Sequence, residues 1–120
     1  MTHIDSSYFG SITIDGKKFH QVLIVNDQVV ERDALTLNKK FNTTHLIGDW
    51  EVKLLLKDKP ETIIVGKGQS GVLKVTNEIK QNILKEGIDL KILLTPNAVK
   101  EYNKLRASGK KVNALIHTTC

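Results

Sequence analysis

The chain holds one cysteine, Cys120, among 120 residues. No internal disulfide can form, which points to a reducing, cytoplasmic setting. Long hydrophobic runs are missing too. Runs such as Leu54-Leu55-Leu56 and Ile63-Ile64-Val65 fall far short of the roughly 18–20 residues that a membrane-spanning helix needs. The start, Met1-Thr2-His3-Ile4-Asp5, has neither a basic lead nor an apolar stretch, so neither a secretory signal nor a mitochondrial presequence is expected. Arginine is scarce. Only Arg32 and Arg106 accompany the lysines that dominate the 18 basic residues. Readers of bases and clamps of phosphate lean on the planar guanidinium fork. The net charge of +5 therefore reads as a solvated lysine surface rather than a nucleic-acid face.

What is present suffices for one α/β domain. A chain of this length buries roughly two-thirds of the surface of its unfolded form, and 40% hydrophobic residues can supply the core. Residues 1–32 read as a three-stranded antiparallel β-meander: Tyr8 to Ile14, then Phe19 to Val25, then Gln28 to Arg32. Asp15-Gly16 and Asn26-Asp27 form the turns. Residues 33–48 are polar and irregular and read as a long loop, of the kind that often carries function. Asp49 is placed to cap a short helix from Trp50 to Lys57, stopped before Pro60.

The remainder alternates strand and helix. Glu61 to Val65 reads as a buried strand. Thr76 caps a helix to Glu86, ended by Gly87. Ile88 to Leu94 is a strand, Thr95 caps the next helix with Pro96 at its first position, and Ser108-Gly109 ends it. Val112 to Ile116 is the last strand. A βαβαβ order predicts parallel strands with right-handed crossovers. The expected architecture is a three-layer α/β sandwich, the meander joined to a parallel βαβαβ unit.

Three groups of residues are candidates for chemistry. Gly66-Lys67-Gly68-Gln69-Ser70-Gly71 has the G-x-G-x-x-G spacing after a strand and before a helix, where backbone N–H groups can approach an anion. The next strand ends Leu93-Leu94-Thr95, without the acidic residue that holds a ribose, so NAD is not expected. The bland alternative is a tight turn needing glycine dihedrals. His45, His117 and Cys120 hold metal-binding and nucleophilic atoms, but no fourth ligand motif accompanies them. The sequence assigns no metal and no cofactor, and reads His117 as a locally bonded strand-end residue. Finally, Thr95, Asn97, Tyr102 and Asn103 follow a strand end. In open parallel sheets ligands gather at the carboxyl ends, so Gly66–Gly71, Thr95 and His117 are expected on one rim. Capping for Thr95 and core packing for Tyr102 are the ordinary alternatives.

Tyr8-Phe9-Gly10, Thr43-Thr44-His45, Ile64-Val65-Gly66-Lys67-Gly68, Val99-Lys100-Glu101-Tyr102-Asn103 and His117-Thr118-Thr119-Cys120 together resemble the adipogenesis-associated domain-containing protein family. A mitochondrial complex I assembly factor is a more distant relative. The resemblance runs from Tyr8 to Cys120 and implies a three-layer α/β sandwich and no established reaction. It implies a tie to cell differentiation, as in animal members, and action through protein contacts. The family usually has Gly-Thr-Ser-His where this chain has Asn42-Thr43-Thr44-His45. Asn tolerates the left-handed backbone that Gly allows, so the turn should persist. Without a presequence, the mitochondrial branch is not expected.

Two readings result. The first is a non-enzymatic binding, assembly or regulatory module with protein partners, in contact with neither nucleic acid nor membrane, as monomer or homodimer. The second is a small-ligand or anion-binding domain, or an enzyme, with a site at Gly66, Lys67, Gly68, Gly71, Thr95, Tyr102 and Asn103 and with His45, His117 and Cys120 above it.

Overall fold

The computed structural model describes residues 2–120. Its elements run β1 (Ile4–Tyr8), β2 (Ser11–Ile14), β3 (Lys17–Phe19), β4 (Val22–Val25), β5 (Gln28–Glu31), α1 (Ala34–Phe41), α2 (Asp49–Leu56), β6 (Thr62–Lys67), α3 (Asn77–Leu84), β7 (Asp89–Leu93), α4 (Thr95–Ala107) and β8 (Val112–His117). Strands β1-β2-β3 form a small antiparallel sheet. The main sheet has the order β5-β4-β8-β6-β7. In it β6 pairs in parallel with both β7 and β8, while β4 pairs antiparallel with β8 and β5. The expected α/β sandwich and its parallel βαβαβ unit are therefore present.

Strand periodicity sorts the core into two halves, because alternate residues point to opposite faces. Ile64, Val112, Ala114, Ile116, Val22 and Ile24 face α4 and the small sheet, closing over Tyr102, Ile4, Ile12 and Ile14. Ile63, Val65, Leu115, Leu23 and Val25 face the opposite way, toward Val52 and Leu55 of α2 and Ile79 and Ile83 of α3. Gly66 lies where β6 and α4 nearly touch. A Cβ there would meet Thr95 Oγ1, Ala98 Cβ and Ile116 Cδ1 at 3.1–3.3 Å.

The meander differs from expectation. Tyr8 to Ile14 is not one strand, because Phe9-Gly10 turns the chain between the Tyr8–Ser11 pair, with Gly10 at φ +79°. Phe19 to Val25 also breaks, at His20-Gln21, where the chain leaves the small sheet so that β4 can pair with β8. The two predicted turns are as expected: Asp15-Gly16 joins β2 to β3 and Asn26-Asp27 joins β4 to β5, all four residues at positive φ.

Residues 33–48 are not a structureless loop. Asp33 accepts from the Thr36 N–H at 3.0 Å and caps α1, which buries only Leu37. Asn42 ends α1 at φ +58°, so it does take the left-handed turn in place of glycine. Asp49 does not cap α2. Gly48 holds that position, and the Glu51 carboxylate accepts from its N–H at 2.9 Å. Nor does Thr95 cap α4, whose N-cap is Leu94, with no side-chain bond there.

Asn113, fully buried on the α2 face of β8, secures the lower end of this half. Its Nδ2 donates to the carbonyls of Leu55 (2.8 Å) and Lys57 (3.3 Å), and its Oδ1 accepts from the Asn26 N–H at 3.2 Å. Asn113→Leu keeps the volume and leaves these backbone groups unpaired. It is expected to cost about 2–3 kcal/mol, read as a fall in Tm of roughly 10 °C. An unchanged Tm would contradict this account of how α2 is tied to the sheet.

Candidate functional site

The carboxyl ends of β6 and β8 meet the end of β5, the loop before α2 and the residues after β8. At their centre is Arg32, with a fully buried Glu51 facing it. Arg32 Nε donates to Glu51 Oε2 at 2.7 Å and Nη2 to Oε1 at 2.9 Å. Nη2 also reaches the Leu46 carbonyl at 2.8 Å, and Nη1 reaches the Thr44 carbonyl at 3.1 Å and Gln21 Oε1 at 2.9 Å. All five guanidinium protons are thus used.

His117 closes this network. Its Nδ1 lies 2.5 Å from Gln21 Oε1 and its Nε2 lies 3.1 Å from Thr119 Oγ1. Arginine only donates, so the Gln21 atom that accepts from it is an oxygen, and the His117 nitrogen facing that oxygen must carry a proton. Nε2 then accepts from the Thr119 hydroxyl. Arg32 Nη1, 3.5 Å from Nδ1, has no proton left for it. Burial, then the charge of Arg32, then His45 push the His117 imidazole down to about 4. His117 is a neutral member of the interior at neutral pH. His45 lies edge-on to it, ring centroids 5.2 Å apart, is half-buried, and accepts at its carbonyl from the Lys74 N–H at 2.9 Å. The two histidines are therefore brought together.

The glycine loop is placed at this rim, but the N–H groups of Gly68, Gln69 and Ser70 are engaged. The N–H of Gln69 donates to the Thr119 carbonyl at 2.8 Å, and those of Ser70 and Val72 converge on the Cys120 oxygen at 3.1 and 2.9 Å. The Gly68 N–H donates to Thr95 Oγ1 at 3.0 Å, and the Leu73 N–H to the Lys67 carbonyl at 3.1 Å. A Cβ on Gly68, which stands at φ +103°, would run into the Cys120 backbone. The loop also does not open a helix, since residues 72–76 separate it from α3. The segment is thus a tight turn with glycine dihedrals rather than a free cradle of N–H groups at a helix N-terminus. The segment Thr118–Cys120 lies in the place where an anion would sit.

The other named residues divide between rim and core. Thr95, fully buried, joins the rim as a clamp: it accepts from Gly68 and donates to the His117 carbonyl at 2.5 Å. Lys67 and Cys120 are half-buried at the rim. Gly66 packs under Thr95, and the Gly71 backbone lies against Leu94 and the Lys67 side chain. Tyr102 and Asn103 do not join them. Tyr102 is fully buried in the α4-side core, its hydroxyl without a hydrogen-bond partner among the described residues. Asn103 clamps β1 to α4, accepting from the Ile4 N–H at 2.9 Å and donating to the Ile4 carbonyl at 2.8 Å. Sequence reasoning missed Gln21, Glu51 and the role of Arg32. The available signal was arginine itself, since a guanidinium at a strand end in a lysine-rich chain suggests a fork-shaped need.

The sequence matches, over residues 4–117, a protein family described as "Protein of unknown function (DUF498/DUF598)". The solved structure titled "MT938" is 30% identical over 100% of both chains, with a TM-score of 0.79. The conserved hypothetical protein PH1505 from Pyrococcus horikoshii OT3 is 29% identical over 98% of both chains, with a TM-score of 0.83. A Bordetella pertussis protein described as a Mth938-like domain shares the fold at 16% identity and a TM-score of 0.63, over 97% of this chain and 85% of its own.

Two outcomes are expected. Lysine cannot supply five planar donors, so Arg32→Lys leaves Glu51 and two carbonyls under-bonded. It should cost about 3–5 kcal/mol, measured by urea unfolding, and a loss below about 1 kcal/mol would contradict the role given to the fork. The second concerns pH. Between about pH 6.5 and 4 the unfolded chain binds a proton at residue 117 that the folded chain refuses, so stability falls as pH falls through that window. The loss should be about 2–3 kcal/mol and shrink in His117→Gln. Asp5, Asp27 and Asp33, all held below the ordinary value of 3.8, lose their contributions lower down. Equal losses in both proteins across the window would refute the assignment.

Proposed function

Because the chain belongs to the DUF498/DUF598 family of proteins of unknown function, we propose that it is a non-enzymatic binding module, cytosolic, acting in assembly or regulation through contacts with other proteins. One observation carries this reading: the Arg32–Glu51–Gln21–His117 cluster at the carboxyl rim is satisfied within the chain. Every Arg32 proton and both His117 nitrogens have partners within the chain. In the glycine loop the N–H groups of Gln69 and Ser70 are held by the chain's own Thr119 and Cys120, and that of Gly68 by Thr95. A neutral, doubly bonded imidazole offers a substrate neither a free base nor a free acid. Apolar contact surface is meanwhile held outward. Tyr8 and Phe9 at the β1–β2 turn are 68% and 67% exposed, and Leu35 on α1 is 76% exposed. Aromatic side chains so presented are the usual anchors of protein interfaces. The tie to cell differentiation implied by the adipogenesis-associated resemblance belongs to the same reading.

The competing reading, a small-ligand site or enzyme, has the His45–His117 pair in its favour. The two separate in native extract of the source cell. The chain is expected to elute in a defined complex well above its own 13.4 kDa, and His45→Ala should leave that complex intact. Elution as the free chain, together with a thermal shift by inorganic phosphate or a nucleotide that His45→Ala abolishes, would overturn the proposal in favour of a ligand site.

A further inference from the structure

A large concavity opens on the α2–α3 side of the main sheet. It is a groove of about 820 Å3 between α2 and α3, floored by Ile47, Val52, Leu56 and Ile79, with Phe41 at one end. Its origin lies in the topology. On this face α2 packs on β4 and β8, and α3 packs on β7, so the two helices straddle β6. Strands lie ~4.8 Å apart, so the two helix axes are separated by about two and a half strand spacings, roughly 12 Å. Close-packed helices sit roughly 8–10 Å apart. The gap cannot admit a third helix into the layer, but it admits the side chains of one laid over it.

The walls have a common direction. α2 begins at the rim, where Glu51 meets Arg32, and ends beside Asn113 at the opposite end of β8. α3 begins after Lys74, which bonds to His45, and ends where the chain enters β7. Both N-termini therefore point to the rim and both C-termini away from it. Charge follows the same axis. At the rim end the lining residues Asp49 and Glu78 stand in the first turns of α2 and α3; toward the far end stand Lys53 and Lys85, with Glu86 just beyond the last. Lys40, 5.7 Å from the Trp50 ring centroid, is not part of the lining.

We propose that this groove docks one amphipathic α-helix of a partner protein, lying antiparallel to α2 and α3. The inference rests on the binding-module reading and deepens it. An antiparallel helix places its negative dipole end beside two positive helix N-termini. It places basic residues of its last turn against Asp49 and Glu78, and acidic residues of its first turn against Lys53 and Lys85. That is the ordinary charge distribution of a helix, so the partner segment needs only this distribution and apolar residues at i, i+3, i+4 and i+7. Each wall is eight residues long, so the contact spans about two to three turns.

The test uses the whole chain and two stapled amphipathic peptides of about 14 residues, roughly 21 Å of helix. One carries glutamates in its first turn and lysines in its last, and the other has those charges exchanged. Trp50, the chain's single tryptophan, stacks on Phe41 at the groove's end, ring centroids 6.5 Å apart, and reports occupancy through its emission. The first peptide is expected to bind at least tenfold more tightly at low salt and to shift Trp50 emission. In the folded double variant Lys53→Glu/Lys85→Glu the preference should vanish or invert. Equal affinities, an unchanged Trp50 signal, a preference that survives the double variant, or self-association of the chain through this face would overturn the inference. If the native complex of the preceding subsection withstands Lys53→Glu/Lys85→Glu while the peptides show no preference, the groove falls and the binding reading stands. If the chain is free in extract yet the peptides bind with the stated polarity, the groove stands and the cytosolic assembly role falls.

Discussion

Burying the Arg32 guanidinium is the constraint around which the carboxyl half of the molecule is arranged. Removing such a charge from water costs several kcal/mol unless it is paired and every donor is met. Meeting the donors needs parts that are far apart in sequence. Glu51 must come from the first turn of α2, two carbonyls from the segment before it, and Gln21 from the crossing between the two sheets. Fixing these parts sets where α2 begins. Glu51 serves α2 twice, since it also accepts from the Gly48 N–H at the helix start. The pair is thus a registry device more than a source of net stability, in keeping with the small or negative net value of many buried ion pairs.

From that centre the order passes to the rim. Gln21 is held by Arg32, and it holds the His117 ring in one tautomer. The His117 carbonyl is held by Thr95, which also takes the Gly68 N–H. The residues after β8 then cross the glycine loop and are pinned from the other side, Thr118 accepting from the Gly10 N–H and donating to the His20 carbonyl. A loop with phosphate-binding spacing has become the seat of the chain's own backbone. The glycines are needed for that close approach, as Gly68 shows most directly.

Sequence and structure agree best where the determinants are local. The strands around Ile63–Val65 and Ala114–Ile116, the Thr76 cap and the two-residue turns at Asp15-Gly16 and Asn26-Asp27 follow from patterns within a few residues. Disagreement begins where a partner distant in sequence decides. Thr95 had the residue type and the place of a cap, but the hydroxyl that would have capped α4 is taken by Gly68 and His117. The helix α1 escaped notice because its apolar period, Ala34, Leu37 and Phe41, spans only eight residues and lies in a stretch rich in Asn, Thr and Lys that reads as loop. The Phe9-Gly10 turn was hidden by alternation on both sides of it. Of the candidate site, the meeting of glycine loop, Thr95 and His117 on one rim was legible from strand order alone. The engagement of their polar atoms was not, because it depends on Arg32, Gln21 and Glu51, which nothing in the spacing connects.

The same accounting separates the two arginines from the lysines. Arg32 is closed by Glu51, and Arg106 is paired with Asp27, its Nη2 2.7 Å from both carboxylate oxygens. The positive charge left to the solvent is thus mostly lysine, carried on long flexible stems that screen well and select weakly. Selectivity for the partner helix proposed above would then come from fixed geometry. In that dock it comes from two walls of one direction that fix Asp49 and Glu78 at one end and Lys53 and Lys85 toward the other. The α2–α3 face has such walls, since a βα connection running back from β6 and a helix anchored by Glu51 were each constrained to point the same way. Two walls of one polarity make a groove with a sense of direction, a property that no scattering of lysines can provide.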